Sequence, residues 1–177
     1  NEQKTTLINQ YVTKGLNPNI ETKDSGITNI GEIPVTWKVI KLKFIIKNIC
    51  NGTSANQIDF SDYPVTRIET ISNGEINPNK YGYVDKNIPN FKSFILEDKD
   101  ILLSHINSLS IVGQTAIYEK DKYGVLFHGM NLLRLTADKT ICNPYFLHYF
   151  LKSYTSRFFM RSMSKHAINQ VSISITN

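Results

Sequence analysis

Cysteine is scarce in this chain: Cys50 and Cys142 are the only two among 177 residues. Two thiols build no disulfide framework and, on their own, no four-ligand zinc site, so they read as buried thiols in an intracellular protein. Long hydrophobic runs are absent as well; none approaches the ~20 apolar residues that a bilayer span requires. The polar opening Asn1-Glu2-Gln3-Lys4, with no apolar stretch behind it, argues against a signal peptide. Internal repeats, low-complexity tracts and an evident interdomain linker are missing too. The expectation is a single soluble domain.

A further absence is of acid. From Lys139 to Asn177 there are five basic residues and no acidic one, whereas residues 1–138 hold fifteen of each. The whole formal charge of +5 therefore sits in that tail. A one-signed stretch of this kind suits a polyanion such as DNA or RNA, and equally suits a solvated helix face with no partner.

The remaining composition, 41% hydrophobic and 20% charged, is that of a globular chain able to bury a core. Leu7, Ile8, Tyr11 and Val12 form a narrow stripe at helical spacing, closed by Gly15 where a left-handed cap would sit. So short a helix is marginal alone and must pack on something. Residues 17–34, broken by Pro18, Gly26, Gly31 and Pro34, read as an irregular connector. A compact domain over 35–177 follows. Its β-rich stretches are Tyr63 to Ile71, Phe94 to Ile106, Ile111 to Tyr118 and Gly124 to Leu135. Glu97-Asp98-Lys99-Asp100 looks like a turn before one of them. Asn143-Pro144 opens the clearest helix, with Asn as cap and Pro at the first position. Leu147, Phe150, Leu151, Tyr154, Phe158 and Met163 would form its buried face. Val171 to Ile175 alternates as a half-buried strand does. The fold class is α+β: a twisted sheet with packed helices.

Enzyme signatures are lacking. There is no G-x-S-x-G, H-E-x-x-H or G-x-x-x-x-G-K-[ST], and the four histidines show no i, i+4 pairing. Glu97 and Lys99 form an E-x-K, as metal-dependent nucleases often have, but Asp59, Asp62 and Asp85 do not stand in the context that completes such a site. Asn143-Pro144-Tyr145 lacks the second Pro of the adenine methyltransferase loop, and no glycine-rich turn accompanies it. What remains are side chains that read base edges: Asn56, Gln57, Asn73, Asn77, Lys80, Asn107, Asn169 and Gln170, with Tyr81 and Tyr83 flanking Gly82. Singly, such residues are more often only solvated. As a set with the basic tail they point to DNA.

The order of segments resembles a target-recognition domain of the specificity subunit of type I restriction-modification systems. The residues that carry the likeness run from Leu7-Ile8 through Val12-Thr13-Lys14-Gly15-Leu16 to Lys23-Asp24-Ser25-Gly26-Ile27, Ile30-Gly31-Glu32-Ile33-Pro34, Trp37-Lys38-Val39 and Leu42-Lys43. Further on come Tyr63 to Ile68, Leu96 to Ser104, Val112 to Ala116, Gly129 to Leu135 and Asn143 to Leu147. Lys99 and Asn29 depart from the family's usual Gly and Trp.

The resemblance implies that residues 1–16 are the end of a spacer helix and that the chain is a fragment, read as the second recognition domain of a larger subunit. It implies a cytoplasmic, bacterial, non-catalytic protein that reads one half of a split DNA target. Its partners would be duplex DNA, the other half of the subunit, methyltransferase subunits carrying S-adenosylmethionine, and a restriction subunit using ATP and Mg²⁺; this chain itself would hold no cofactor or metal. Loop residues Asn56, Asn73, Asn77, Lys80, Tyr81, Tyr83, His105, Asn107, Ser108, His128 and Asn131 would read bases. Lys152, Arg157, Arg161 and Lys165, with Asn169 and Gln170 beside them, would hold phosphates. Arg67 and Arg134 lie inside strands and stay open between DNA contact and core-edge ion pairing. A metal-dependent nuclease using Glu97 and Lys99, or a protein-interaction module without DNA binding, are the alternatives.

Overall fold

The computed structural model describes residues 2–107, 111–162, 165–167 and 170–172, with the side chains of 3–106 and 111–162. The helices are α1 (Glu2–Lys14), α2 (Lys120–Tyr123), α3 (Pro144–Lys152) and α4 (Tyr154–Ser162). The first strands are β1 (Thr22–Asp24), β2 (Glu32–Pro34), β3 (Ile46–Asn51), β4 (Pro64–Val65), β5 (Gly82–Tyr83) and β6 (Ile101–Ser104). They are followed by β7 (Ile106–Asn107), β8 (Thr115–Ile117), β9 (Leu132–Ala137), β10 (Lys165–Ala167) and β11 (Gln170–Ser172).

The core is a four-stranded antiparallel sheet in the order β3-β9-β6-β8. All of β6 is buried, and the period of two sends its side chains to opposite faces. Ile101 and Leu103 join Leu133, Leu135, Leu147 and Leu151 on the face that α3 covers. Leu102 joins Leu132, Ala116, Tyr118, Leu126, Ile71 and Ile76 on the other, beneath short 3-10 turns at 68–71 and 78–80. Burial of the inner strand β6 on both faces explains why its sequence reads as continuous apolar chain rather than clean alternation.

Three local expectations stand in the structure. Gly15 closes α1 at φ 77°, its N–H donating to Tyr11 O at 3.1 Å. Residues 97–100 turn into β6: Asp100 N–H donates to Glu97 O, and Lys99 takes the left-handed φ of 70° without being Gly. Asn143 caps α3, its side chain accepting from Tyr145 N at 2.9 Å. Asn143→Ala should therefore cost about 1 kcal/mol, read as a lower urea midpoint at unchanged m-value. An unchanged midpoint would show that packing alone sets this helix end.

Other expectations need correction. Residues 17–34 contain an antiparallel hairpin, β1–β2, tied by Ser25 N–H to Gly31 O at 2.9 Å. Tyr63 to Ile71 is strand only at β4 before turning into 3-10 helix. The long helix after Asn143 breaks at Ser153, whose ψ is 155°. The Ser153 hydroxyl donates to Phe150 O at 2.6 Å and accepts from Ser156 N at 3.3 Å, so one buried serine ends α3 and caps α4. The rotation that follows leaves Tyr154 and Phe158 exposed instead of buried, while Phe150 is half-buried. Met163 lies outside the described residues. Cys50 and Cys142 are free and only half-buried.

Candidate nucleic-acid interface

Two glycines, Gly52 and Gly129, let three chain segments cross almost in contact. A Cβ on Gly129 would stand 1.9 Å from Thr66 O, and one on Gly52 would stand 2.3 Å from His128 O and Gly129 O. A Cβ on Gly82 would meet Gln57 Oε1 at 2.3 Å. The crossing is fastened by Thr53 N–H to His128 O, Met130 N–H to Thr53 O and Thr66 N–H to Phe127 O, all 2.8–2.9 Å. Gly129 N–H donates to Thr66 Oγ1 at 3.0 Å.

Above this crossing lies an open groove of about 230 Å³. Thr53, Ser54, Gln57, Thr66, Arg67, Glu69 and Asn131 give it polar walls, and Val65 and Val84 are apolar lining. Asn131 holds a left-handed φ of 70°, a conformation that Asn tolerates better than most residues. Arg67 Nε sits 3.6 Å from Glu69 Oε2, both side chains about half exposed. Exposed in this way, the pair contributes little stability and can exchange its partners for a ligand's. Guanidinium, amide and carboxylate groups are those that match base edges in a DNA groove.

The expected base readers fall into four groups. Asn131 lines the groove, and Asn56 is exposed on the same segment as its Ser54–Gln57 wall. Asn73 and Lys80 are exposed on the neighbouring loop. Asn77 instead caps the turn at 78–80, its side chain accepting from Asn79 N at 3.0 Å. Tyr81 packs on the core beside Ile71 and Tyr118, and burial pushes its phenol up to about 12. Tyr83 pairs with Pro64, its ring 5.1 Å from that of Phe60. His128 is fully buried with Nε2 3.0 Å from Leu132 O, so it is a core residue and no reader. His105 is half-buried, and burial lowers its pKa. Asn107 contributes backbone to β7, its side chain outside the described set; Ser108 and Asn169 lie outside the described residues altogether.

The expected phosphate contacts are also redistributed. Lys152 turns inward and donates to Gly74 O at 3.2 Å, with burial lowering its pKa. Arg157 is half-buried, and desolvation lowers its pKa as well. Arg161 is exposed. Lys165 and Gln170 pair as backbone in β10 and β11, their side chains undescribed. The two open arginines separate: Arg67 reaches the groove, whereas Arg134 donates to Ile95 O at 3.0 Å and lies 3.8 Å from the buried Asp100.

Glu97 and Lys99 do not form a cation site. Lys99 pairs with Asp98 at 3.5 Å and Glu119 at 3.3 Å, under the ring of Tyr145. Among the described residues, no group of three His, Cys, Asp or Glu side chains could hold a metal ion, and no helix is long and apolar enough to cross a membrane. Gln57 and Asn131 were expected as base readers, but the groove that joins them, where Gly52-Thr53 meets Gly129-Met130-Asn131, was not. Close approach of two backbones is what asks for glycine there, and one sequence does not show which segments meet.

No protein-family model matches the chain. It is similar to a putative type I restriction enzyme MjaX specificity subunit from Methanocaldococcus jannaschii, 44% identical over 154 residues, which is 84% of this chain and 35% of the relative. Its fold is similar to the crystal structure of the S subunit of a type I restriction-modification system from M. genitalium, with a TM-score of 0.54. That match is 14% identical and covers 91% of this chain and 33% of the other. The chain thus spans about a third of the length of each.

Proposed function

The chain is a homologue of one segment of type I restriction enzyme specificity subunits, and on that premise we propose that it is a DNA target-recognition domain. The groove carries the reading: a rigid glycine-locked crossing presents Gln57, Arg67, Glu69 and Asn131 in one open cleft. Arg pairs bidentately with guanine O6 and N7, Asn and Gln with adenine N6 and N7, and Glu accepts from cytosine N4. Contacts of that kind choose the sequence, while cations around the groove hold phosphates and fix position without choosing.

The domain performs no bond-making step itself. It acts beside another half of the subunit and within a complex of methyltransferase and restriction subunits, to which S-adenosylmethionine, ATP and Mg²⁺ belong. Its working compartment is the one that holds the DNA.

The direct test is fluorescence anisotropy with duplex DNA across a salt series. Two to four phosphate contacts give a log–log slope of roughly −2 to −4. A flat response would leave the groove without its ligand.

A further inference from the structure

The tail is not the only one-signed stretch. Between Ile33 and Ile58 there are four lysines, Lys38, Lys41, Lys43 and Lys47, and no acidic residue. All four are exposed, and none makes an ion pair among the described residues. Lys43 lies 5.5 Å from the centre of the exposed Phe44 ring. Asp138, a carboxylate that senses the charge of Lys47, is already bonded by Thr140 N and Oγ1 at 2.9 and 2.6 Å.

Position gives these charges a use. β3 follows Lys38, Lys41 and Lys43, carries Lys47, and delivers the chain through Gly52 directly into the groove wall at Thr53. From Lys47 to Thr53 the extended chain advances about 20 Å, at roughly 3.3 Å per residue. That length is about six base pairs of duplex at 3.4 Å each. Of the tail cations expected to hold phosphates, Lys152 is bonded inward and Arg157 is half-buried.

We propose that Lys38, Lys41, Lys43 and Lys47 form a phosphate-contacting ridge that anchors duplex DNA beside the groove. The proposal rests on the DNA-recognition reading above. Guarding an exposed sheet edge with lysine explains only Lys47, which alone lies on edge strand β3; the other three precede it. Lysine suits the role, since its compact charge on a flexible stem holds phosphate without demanding a particular base.

The test compares two charge-matched variants of the full chain, Lys41→Gln with Lys43→Gln and Lys120→Gln with Lys122→Gln. The second pair sits on α2 and controls for net charge. Binding to a preferred and an unrelated duplex is measured across a salt series. The ridge variant should flatten the slope by about 0.9 per lost contact and weaken both duplexes by the same factor, with the preferred sequence unchanged. The α2 variant should leave the slope in place. Equal flattening in both variants overturns the proposal. So does an unchanged slope in the ridge variant. A wild-type chain without salt-dependent binding overturns the DNA reading together with the ridge, and is told apart by needing no variant.

Discussion

Gly129→Ala should destabilise the chain by on the order of 3 kcal/mol or more and abolish sequence-selective DNA binding. The cause is steric. The new Cβ would stand 1.9 Å from Thr66 O and 3.1 Å from Thr66 C, backbone atoms that cannot swing aside as a side chain can. Thr66 is itself fixed by its N–H to Phe127 O, and its hydroxyl receives Gly129 N–H. Relief therefore means separating the segments that build the groove. Gly26→Ala is the control: Gly26 sits at φ 73° with nothing within 4 Å of a Cβ, so only the left-handed penalty of about 1–2 kcal/mol applies. Urea denaturation of both variants checks the order. If Gly129→Ala is the milder of the two, the crossing is looser than drawn.

Acid should destabilise the fold strongly between pH 6.5 and about 4. Burial lowers His128 to about 4, its Nε2 contact with Leu132 O opposing only in part. Burial, helped by Lys152, lowers His148 to about 4. Both rings are nearly or fully enclosed. The unfolded chain protonates near 6.5 and the folded chain only near 4, so in that window the unfolded state binds more protons. Their neutral-state stability is complete above 6.5 and is lost as pH falls through 4. A shift of this size corresponds to about 3 kcal/mol for each histidine. Urea midpoints at pH 7.5 and 5.0 give the measurement, with the lower value expected at pH 5.0. A flat profile would mean that neither imidazole is buried.

Features set by neighbours in sequence were legible. The Gly15 cap, the turn through Lys99 and the Asn143 cap each depend on a few adjacent residues, and each stands in the structure. Features set by contacts across the chain were not. The strands β1 and β2 are three residues long, too short for a period to declare itself. Ser153 looks like any helical serine until its hydroxyl is seen bonded on both sides of the break. Asn77, Tyr81 and His128 have the right chemistry for DNA, yet a turn, a core and a backbone carbonyl already use them. Arg67 and Arg134 were indistinguishable as strand arginines; Asp100 and the Ile95 carbonyl decide between them. The family resemblance came through because it depends on the order of segments, which survives such local surprises.

Selection of bound duplexes from a randomised library by the full chain tests the central claim most directly. The wild-type chain should enrich a short motif. Gln57→Glu, Arg67→Lys and Asn131→Asp should each change the preferred base at a position while keeping salt-dependent affinity for unrelated DNA. Each lost bidentate contact removes about 1–3 kcal/mol of discrimination. Asn77→Ala and Lys80→Ala should leave the motif as it is. No enrichment by the wild type, or the same motif from all three groove variants, would contradict a groove that reads DNA.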